Sequence, residues 1–303
     1  MYEEIAGNKR RSWFLIFIFV LLVGAMGWVF GELTSFGYFG LIIALIVGFG
    51  MAFASYYKSD SLVLRMSSAH VADKEKYLYF HNAVEGLALA GGIPKPKLYV
   101  IDDTAPNAFA TGRDPEHASI AVTTGLLEKM DRLELEGVIA HEMSHIRNYD
   151  IKLMTLTVVM VGVVVLLSDW LLRSFWLGGR RRSEGTGGGS GVLLIVGVAL
   201  AILAPMIARL IRLAVSRQRE YLADASSAML TRYPAGLANA LKKIGEDQEP
   251  LEAANKATAH LYISPPKQRG VRGKIKELLT THPPTSERVK RLENMALPKG
   301  AGE

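Results

Sequence analysis

Residues 13–30, WFLIFIFVLLVGAMGWVF, run without a single charged side chain. As a helix, about 18 or more such residues cover the hydrocarbon thickness of a bilayer. A second uncharged run, Phe36 to Tyr57, follows after only Gly31–Ser35. A cleaved leader would not be followed at once by a second apolar run, so the first is read as a span. A third run covers about Leu153 to Leu172 and a fourth about Val192 to Ile211. Between them lies GGRRRSEGTGGGSG (Gly178–Gly191), a flexible linker by composition. Mean hydropathy is +0.19, which suits a few spans joined to a domain outside the membrane.

The charges give these runs a direction. Lys9, Arg10 and Arg11 precede the first run, Lys58 and Arg65 follow the second, and only Glu32 sits in the turn. By the positive-inside rule both ends of this hairpin are cytoplasmic. The net charge of +6 is therefore assigned to anionic headgroups beside the spans, and no nucleic acid is expected as a partner. The second hairpin is ambiguous. Arg180, Arg181 and Arg182 lie in its loop, while Arg209, Arg212, Arg217 and Arg219 pull its far end inward. Two arrangements fit: both helices cross, or both lie at or partly within the membrane. If residues before and after this hairpin share one ion, the number of crossings between them is even.

Outside the runs, the apolar spacing predicts a helix over Ser67–Gly91, ended by Gly91–Gly92 and the prolines Pro94 and Pro96. Lys97–Ile101, Asn107–Thr111 and Ser119–Thr123 read as strands of a small antiparallel sheet. Asp131, with Glu134 three residues on, reads as a capping box that opens a helix to about Asn148. Further helices are expected near 213–230, 235–244 and 286–296.

The chemistry is carried by HEMSH at 141–145. Residues four apart on a helix share a face, so His141 and His145 can aim ring nitrogens at one ion. Glu142 is rotated from them, within reach of a water that the ion activates. The chain has no cysteine, so a metal here must be held by imidazole and carboxylate, and thiolate fingers and iron–sulfur clusters are excluded. A catalytic zinc needs a third protein ligand and an open position. Glu220, with Asp224 one turn later in SRQREYLADASSAML (216–230), is a candidate. By spacing alone, Glu-x-x-x-Asp also reads as an ordinary solvated helix face.

HEMSH near a helix end, then a hydrophobic hairpin, then REYLAD, resembles the HtpX-type membrane zinc proteases, relatives of the CAAX prenyl endopeptidases. PNAFATG (106–112), TTGLL (123–127) and HPPTSERV (282–289) are also similar to segments of that family. The resemblance covers nearly the whole chain. It implies Glu220 as the third ligand to one zinc ion per subunit, with Asp224 accepting the remaining N–H of a ligating histidine. It implies Glu142 as general base, His282 and Arg288 near the developing oxyanion, and Asn107 and Ala108 as an edge segment that pairs with extended substrate. The expected fold is a membrane protein, mainly α, with about four hydrophobic helices and an α+β, gluzincin-like catalytic domain. Residues 1–57 form an N-terminal hairpin and 58–152 the first part of that domain. Residues 153–212 form the second hairpin, and 213–303 the rest of the domain. The implied function is an endopeptidase of the cell membrane with a cytoplasmic active site. It would act in quality control on membrane-protein or unfolded polypeptide substrates.

Overall fold

The structure is a computed structural model that describes residues 2–33, 38–162, 216–255, 257–265 and 283–296, though not every side chain of the first two helices. Those two helices are α1 (Tyr2–Leu33) and α2 (Tyr38–Met66), and they pack along each other. α2 continues past the apolar run because Val63 and Leu64 turn into the core beneath the sheet. The helix expected from Ser67 starts later. Ser68 adopts a left-handed φ of 53°, and His70–Val71 forms the short strand β1, so α3 spans only Leu78–Gly91. Its end is as expected, with Gly92 left-handed and its N–H returned to the last turn of α3.

Strands β2 (Lys97–Ile101), β3 (Ala108–Gly112) and β4 (Ala118–Thr123) join β1 in the order β1-β2-β4-β3. The sheet is mixed, which corrects the expectation of an antiparallel one. β3 and β4 form an antiparallel hairpin, but β4 is its inner member and lies parallel to β2. The hairpin turns over residues 115–117, where Asp114 accepts from the His117 amide. Putting β4 inside leaves β3 at the edge of the sheet.

Both faces of the sheet are covered. Leu98, Val100, Ala108, Ala110, Ile120 and Val122 pack into one core with α3 and α5 (Arg132–Arg147). The alternate residues Ile101, Phe109 and Ala121 pack into a second core with the end of α2 and with α6 (residues 150–162). Period-two alternation between two apolar cores explains why these strands read as nearly continuous hydrophobic runs. A short helix, α4 (Thr124–Lys129), leads into α5, and α7 (Arg217–Thr231), α8 (Pro234–Glu246) and α9 (Thr285–Ala296) complete the described residues.

The start of α5 is as the sequence predicts. The Glu134 amide donates to Asp131 at 2.9 Å and the Asp131 amide donates to the Glu134 carboxylate at 2.8 Å. Of the third apolar run, only the part within α6 is described, and it is buried. The linker and the fourth run lie outside the described residues. Among the described residues no helix is long and apolar enough to cross a membrane, so the structure does not bear out four spanning helices. α1 and α2 do expose large apolar side chains, among them Trp13, Phe17, Ile46 and Phe53.

α5 and α8 approach closely at Gly137. A Cβ there would lie 2.6 Å from the Leu237 nitrogen, and one on Gly236 would lie 2.4 Å from the Leu133 oxygen. Both neighbours are backbone and cannot swing aside. Gly137→Ala is expected to cost about 1–3 kcal/mol through overpacking, read as a lowered midpoint of denaturation. Because His141 is one turn further along α5, bound metal should fall with it.

Candidate metal centre

α5 carries both histidines in its last two turns, on the face that α7 covers. α7 buries Glu220, Ala223, Asp224, Ser227 and Ala228, a stripe at helical spacing. Ser227 donates to the Gly137 carbonyl at 2.8 Å and fixes the height of α7 against α5. Glu220 sits in the first turn of α7, where the helix N-terminus favours a carboxylate.

His141, His145 and Glu220 converge. The two Nε2 atoms are 3.2 Å apart. His145 Nε2 is 3.4 Å from Glu220 Oε1, and His141 Nε2 is 3.8 Å from Glu220 Oε2. A tetrahedral ion with bonds of about 2.0–2.1 Å holds its ligand atoms roughly 3.3–3.4 Å apart. The triangle therefore has the size of one face of such a site, and these three residues form a group able to hold a metal ion.

The outer nitrogens agree. His141 Nδ1 is 3.0 Å from Asp224 Oδ1, and His145 Nδ1 is 3.0 Å from Asp150 Oδ2. A carboxylate takes the Nδ1–H in each case, which leaves the Nε2 lone pairs facing inward with the Glu220 oxygens. Converging acceptors in a buried site favour positive charge between them, as a metal ion or as a proton.

The charges balance behind this triangle. Arg288, on α9 and buried, holds Asp224 with two bonds, Nε to Oδ2 at 2.9 Å and Nη2 to Oδ1 at 2.7 Å. Its Nη1 lies 3.6 Å from Glu220 and donates to the Ile263 carbonyl at 2.9 Å. Burial alone would raise the pKa of Asp224, but Arg288 and His141 hold its carboxyl below the usual range. Burial, helped by Arg288, pushes His141 down to about 4, so its imidazole is neutral at pH 7. Burial also opposes a charge on His145, yet Asp150 and Glu220 outweigh it and raise that group to about 9. An ion that binds there displaces the proton.

Glu142 lies beside the Ala110 amide of β3, which favours its charged form. Burial pushes its carboxyl up to about 7, in the range a general base needs at neutral pH.

The edge of β3 is occupied. The Ile263 amide donates to the Ala108 carbonyl at 3.0 Å, and the Asn107 side-chain amide donates to the Ser264 carbonyl at 3.1 Å. Residues 261–264 thus lie on the backbone groups assigned to substrate, and they also hold Arg288. His282 lies outside the described residues. The sequence reading did not single out Asp150. It follows His145 by five residues, which is not a helical spacing, and reaches back only through the turn at Asn148 and Tyr149.

A buried His-His-Glu triangle beside a glutamate, on a helix with H-E-x-x-H spacing, is the constellation of a metallopeptidase. The sequence profile of peptidase family M48 matches residues 73–296, and the chain belongs to that family. Within it the chain is of the HtpX type. It is 47% identical over 294 residues to a Protease HtpX homolog of Dictyoglomus thermophilum, covering 97% of this chain and 94% of that protein. It is 48% identical over 299 residues to one of Caldanaerobacter subterraneus, covering 98% of each, and 43% identical to one of Streptococcus uberis, covering 97% of this chain and all of that protein. Among solved structures, that of Ste24p from S. mikatae aligns with 97% of this chain and 67% of its own, at 17% identity and a TM-score of 0.49.

Removing Arg288 takes a buried cation away from two buried carboxylates, Asp224 and Glu220. Arg288→Met is expected to cost about 3–5 kcal/mol, with the loss smaller in saturating zinc, because the ion neutralises the same group. Denaturation midpoints with and without zinc check both parts.

Proposed function

We propose that this chain is a membrane-embedded zinc endopeptidase that cleaves membrane-protein or unfolded polypeptide substrates in quality control, at an active site facing the cytoplasm. The observation that carries the catalytic part is the ligand-sized triangle of His141, His145 and Glu220 with Glu142 beside it. His141 and His145 would supply imidazole nitrogens and Glu220 a carboxylate to one zinc. When bound, zinc polarises the scissile carbonyl and acidifies water to a pKa of about 7. Glu142 takes the proton of the attacking water and passes it to the leaving amine.

Substrate would enter as an extended strand along β3, its backbone pairing with Ala108 and with the side chain of Asn107. None of the three ligands or Glu142 is more than 4% exposed, so entry requires residues 261–264 to give way. That movement also releases Arg288 Nη1, which now holds the Ile263 carbonyl. Arg288 and His282 are then assigned to the developing oxyanion.

Several observations support the membrane part. The first two apolar runs are uncharged, and their helices expose Trp13, Phe17, Ile46 and Phe53. A soluble monomer rarely exposes so many large apolar groups together. Asn8, five residues before the first run, contacts Asp150 beside His145. The basic flank Lys9–Arg11 therefore lies on the same side as the site, the side the positive-inside rule makes cytoplasmic.

The test compares wild type with Glu142→Gln, purified in detergent, for zinc content and casein cleavage. Zinc should stand near one per chain in both, with cleavage slowed about 10²–10⁴-fold in the variant. Chelation should abolish cleavage in wild type, and added zinc should restore it. A folded wild type that binds no zinc, or a variant that cleaves as fast as wild type, would end this reading.

A further inference from the structure

The histidine of the HEMSH segment nearer the helix end is held by a carboxylate that is itself held from the other end of the chain. Asn8, on the first turns of α1, is buried. Its side-chain amide donates to Asp150 Oδ1 at 2.7 Å and to the Asn148 carbonyl at 3.0 Å. Its amide oxygen accepts from Arg219 Nη1 at 3.0 Å. Arg219 precedes the ligand Glu220, and its Nε lies 3.6 Å from the same Asp150 oxygen. One side chain thus joins the two halves of the metal centre, α5 with its exit turn and the start of α7.

We propose that Asn8 is a positioning residue of the metal centre, setting Asp150 so that its other oxygen orients His145. The inference rests on the zinc-peptidase reading above.

Two observations show that the turn it holds needs support. Tyr149 adopts a left-handed φ of 59°, a conformation that costs a bulky L-residue about 1–2 kcal/mol. That conformation returns Asp150 toward His145 after α5 has ended. Both neighbouring contacts also come from α1: Lys9 Nζ lies 4.4 Å from the centre of the Tyr149 ring, and Asn8 satisfies the Asn148 carbonyl. Further along, Leu15, Phe19 and Val23 of α1 pack on Leu153, Val159 and Met160 of α6.

The residue type fits the task. Asparagine offers two amide hydrogens, used on Asp150 and Asn148, and a carbonyl oxygen, used on Arg219. Aspartate would keep an acceptor for Arg219 but bring a second carboxylate against Asp150 with no hydrogen to share. Leucine would keep the branched shape, at a larger volume, and lose all three bonds.

The test uses the full chain in detergent and compares wild type, Asn8→Leu, Asn8→Asp and a packing control, Leu15→Ala. The readouts are zinc affinity by chelator competition, the visible spectrum of the cobalt-substituted protein, and kcat and KM on casein. Loss of a group that orients a metal-ligating histidine typically weakens metal binding about 10–100-fold. Both Asn8 variants should show that loss, an altered cobalt spectrum and a lower kcat with little change in KM. Leu15→Ala should lower the denaturation midpoint and leave affinity and spectrum as in wild type. If Asn8→Leu does not fold, Asn8→Asp decides. Wild-type affinity and spectrum in a folded Asn8 variant, or an equal loss of affinity in Leu15→Ala, would overturn the proposal. A wild type that binds no metal would instead overturn the zinc reading itself.

Discussion

Three acceptor atoms aimed at one buried point are the constraint on which the rest depends. Without a cation the two imidazole lone pairs and the Glu220 carboxylate would repel one another in a medium that screens them poorly, which is why Asp150 and Glu220 favour a proton on His145 until an ion displaces it. Stability requires positive charge at the centre and donors around it, and the surrounding residues supply the donors. Arg288 neutralises Asp224 and approaches Glu220, while Asn8 and Arg219 serve Asp150. Each of these groups is buried, and each comes from a different part of the chain. The ligands sit on α5 and α7, tied to each other by the Ser227 bond to Gly137, and the glycine approach of α5 to α8 holds α5 from a further side.

The sheet serves the same centre from the other side. Because β4 occupies the interior, β3 is left at the edge with its Ala110 amide beside Glu142 and its Ala108 carbonyl turned outward to the Ile263 amide. The same strand therefore lies beside Glu142 and carries the edge on which the proposed function places substrate. Residues 261–264 cap that edge and hold Arg288.

Much of the site was legible in the sequence, and for local reasons. Histidines at i and i+4 share a helix face wherever the helix forms, and the Asp131–Glu134 capping box shows where it begins. Glu220 could not be assigned from its surroundings in sequence, because a Glu and an Asp one turn apart are common on solvated helices. Resemblance to a family singled it out, and the geometry then placed its oxygens 3.4 and 3.8 Å from the two histidines. The strands were found in nearly their right places, but their order was not. An alternating apolar pattern says that a strand is covered and leaves open which neighbour it pairs with, so the parallel pairing of β2 with β4 went unforeseen.

By itself the sequence determined the kind of metal chemistry open to this protein. It has no thiolate to offer, one H-E-x-x-H helix, and long uncharged runs that demand an apolar environment. These follow from composition and from spacings within a turn or two, where geometry is set by the backbone alone. Only the tertiary structure decided that Asp224 serves His141 while Asp150 serves His145, that Arg288 is bonded to Asp224, and that Asn8 reaches Asp150 across 142 positions of chain. Such pairings depend on how helices far apart in sequence pack against one another. No local pattern records that, because the same polar residue on the same helix face is a surface group until another element covers it.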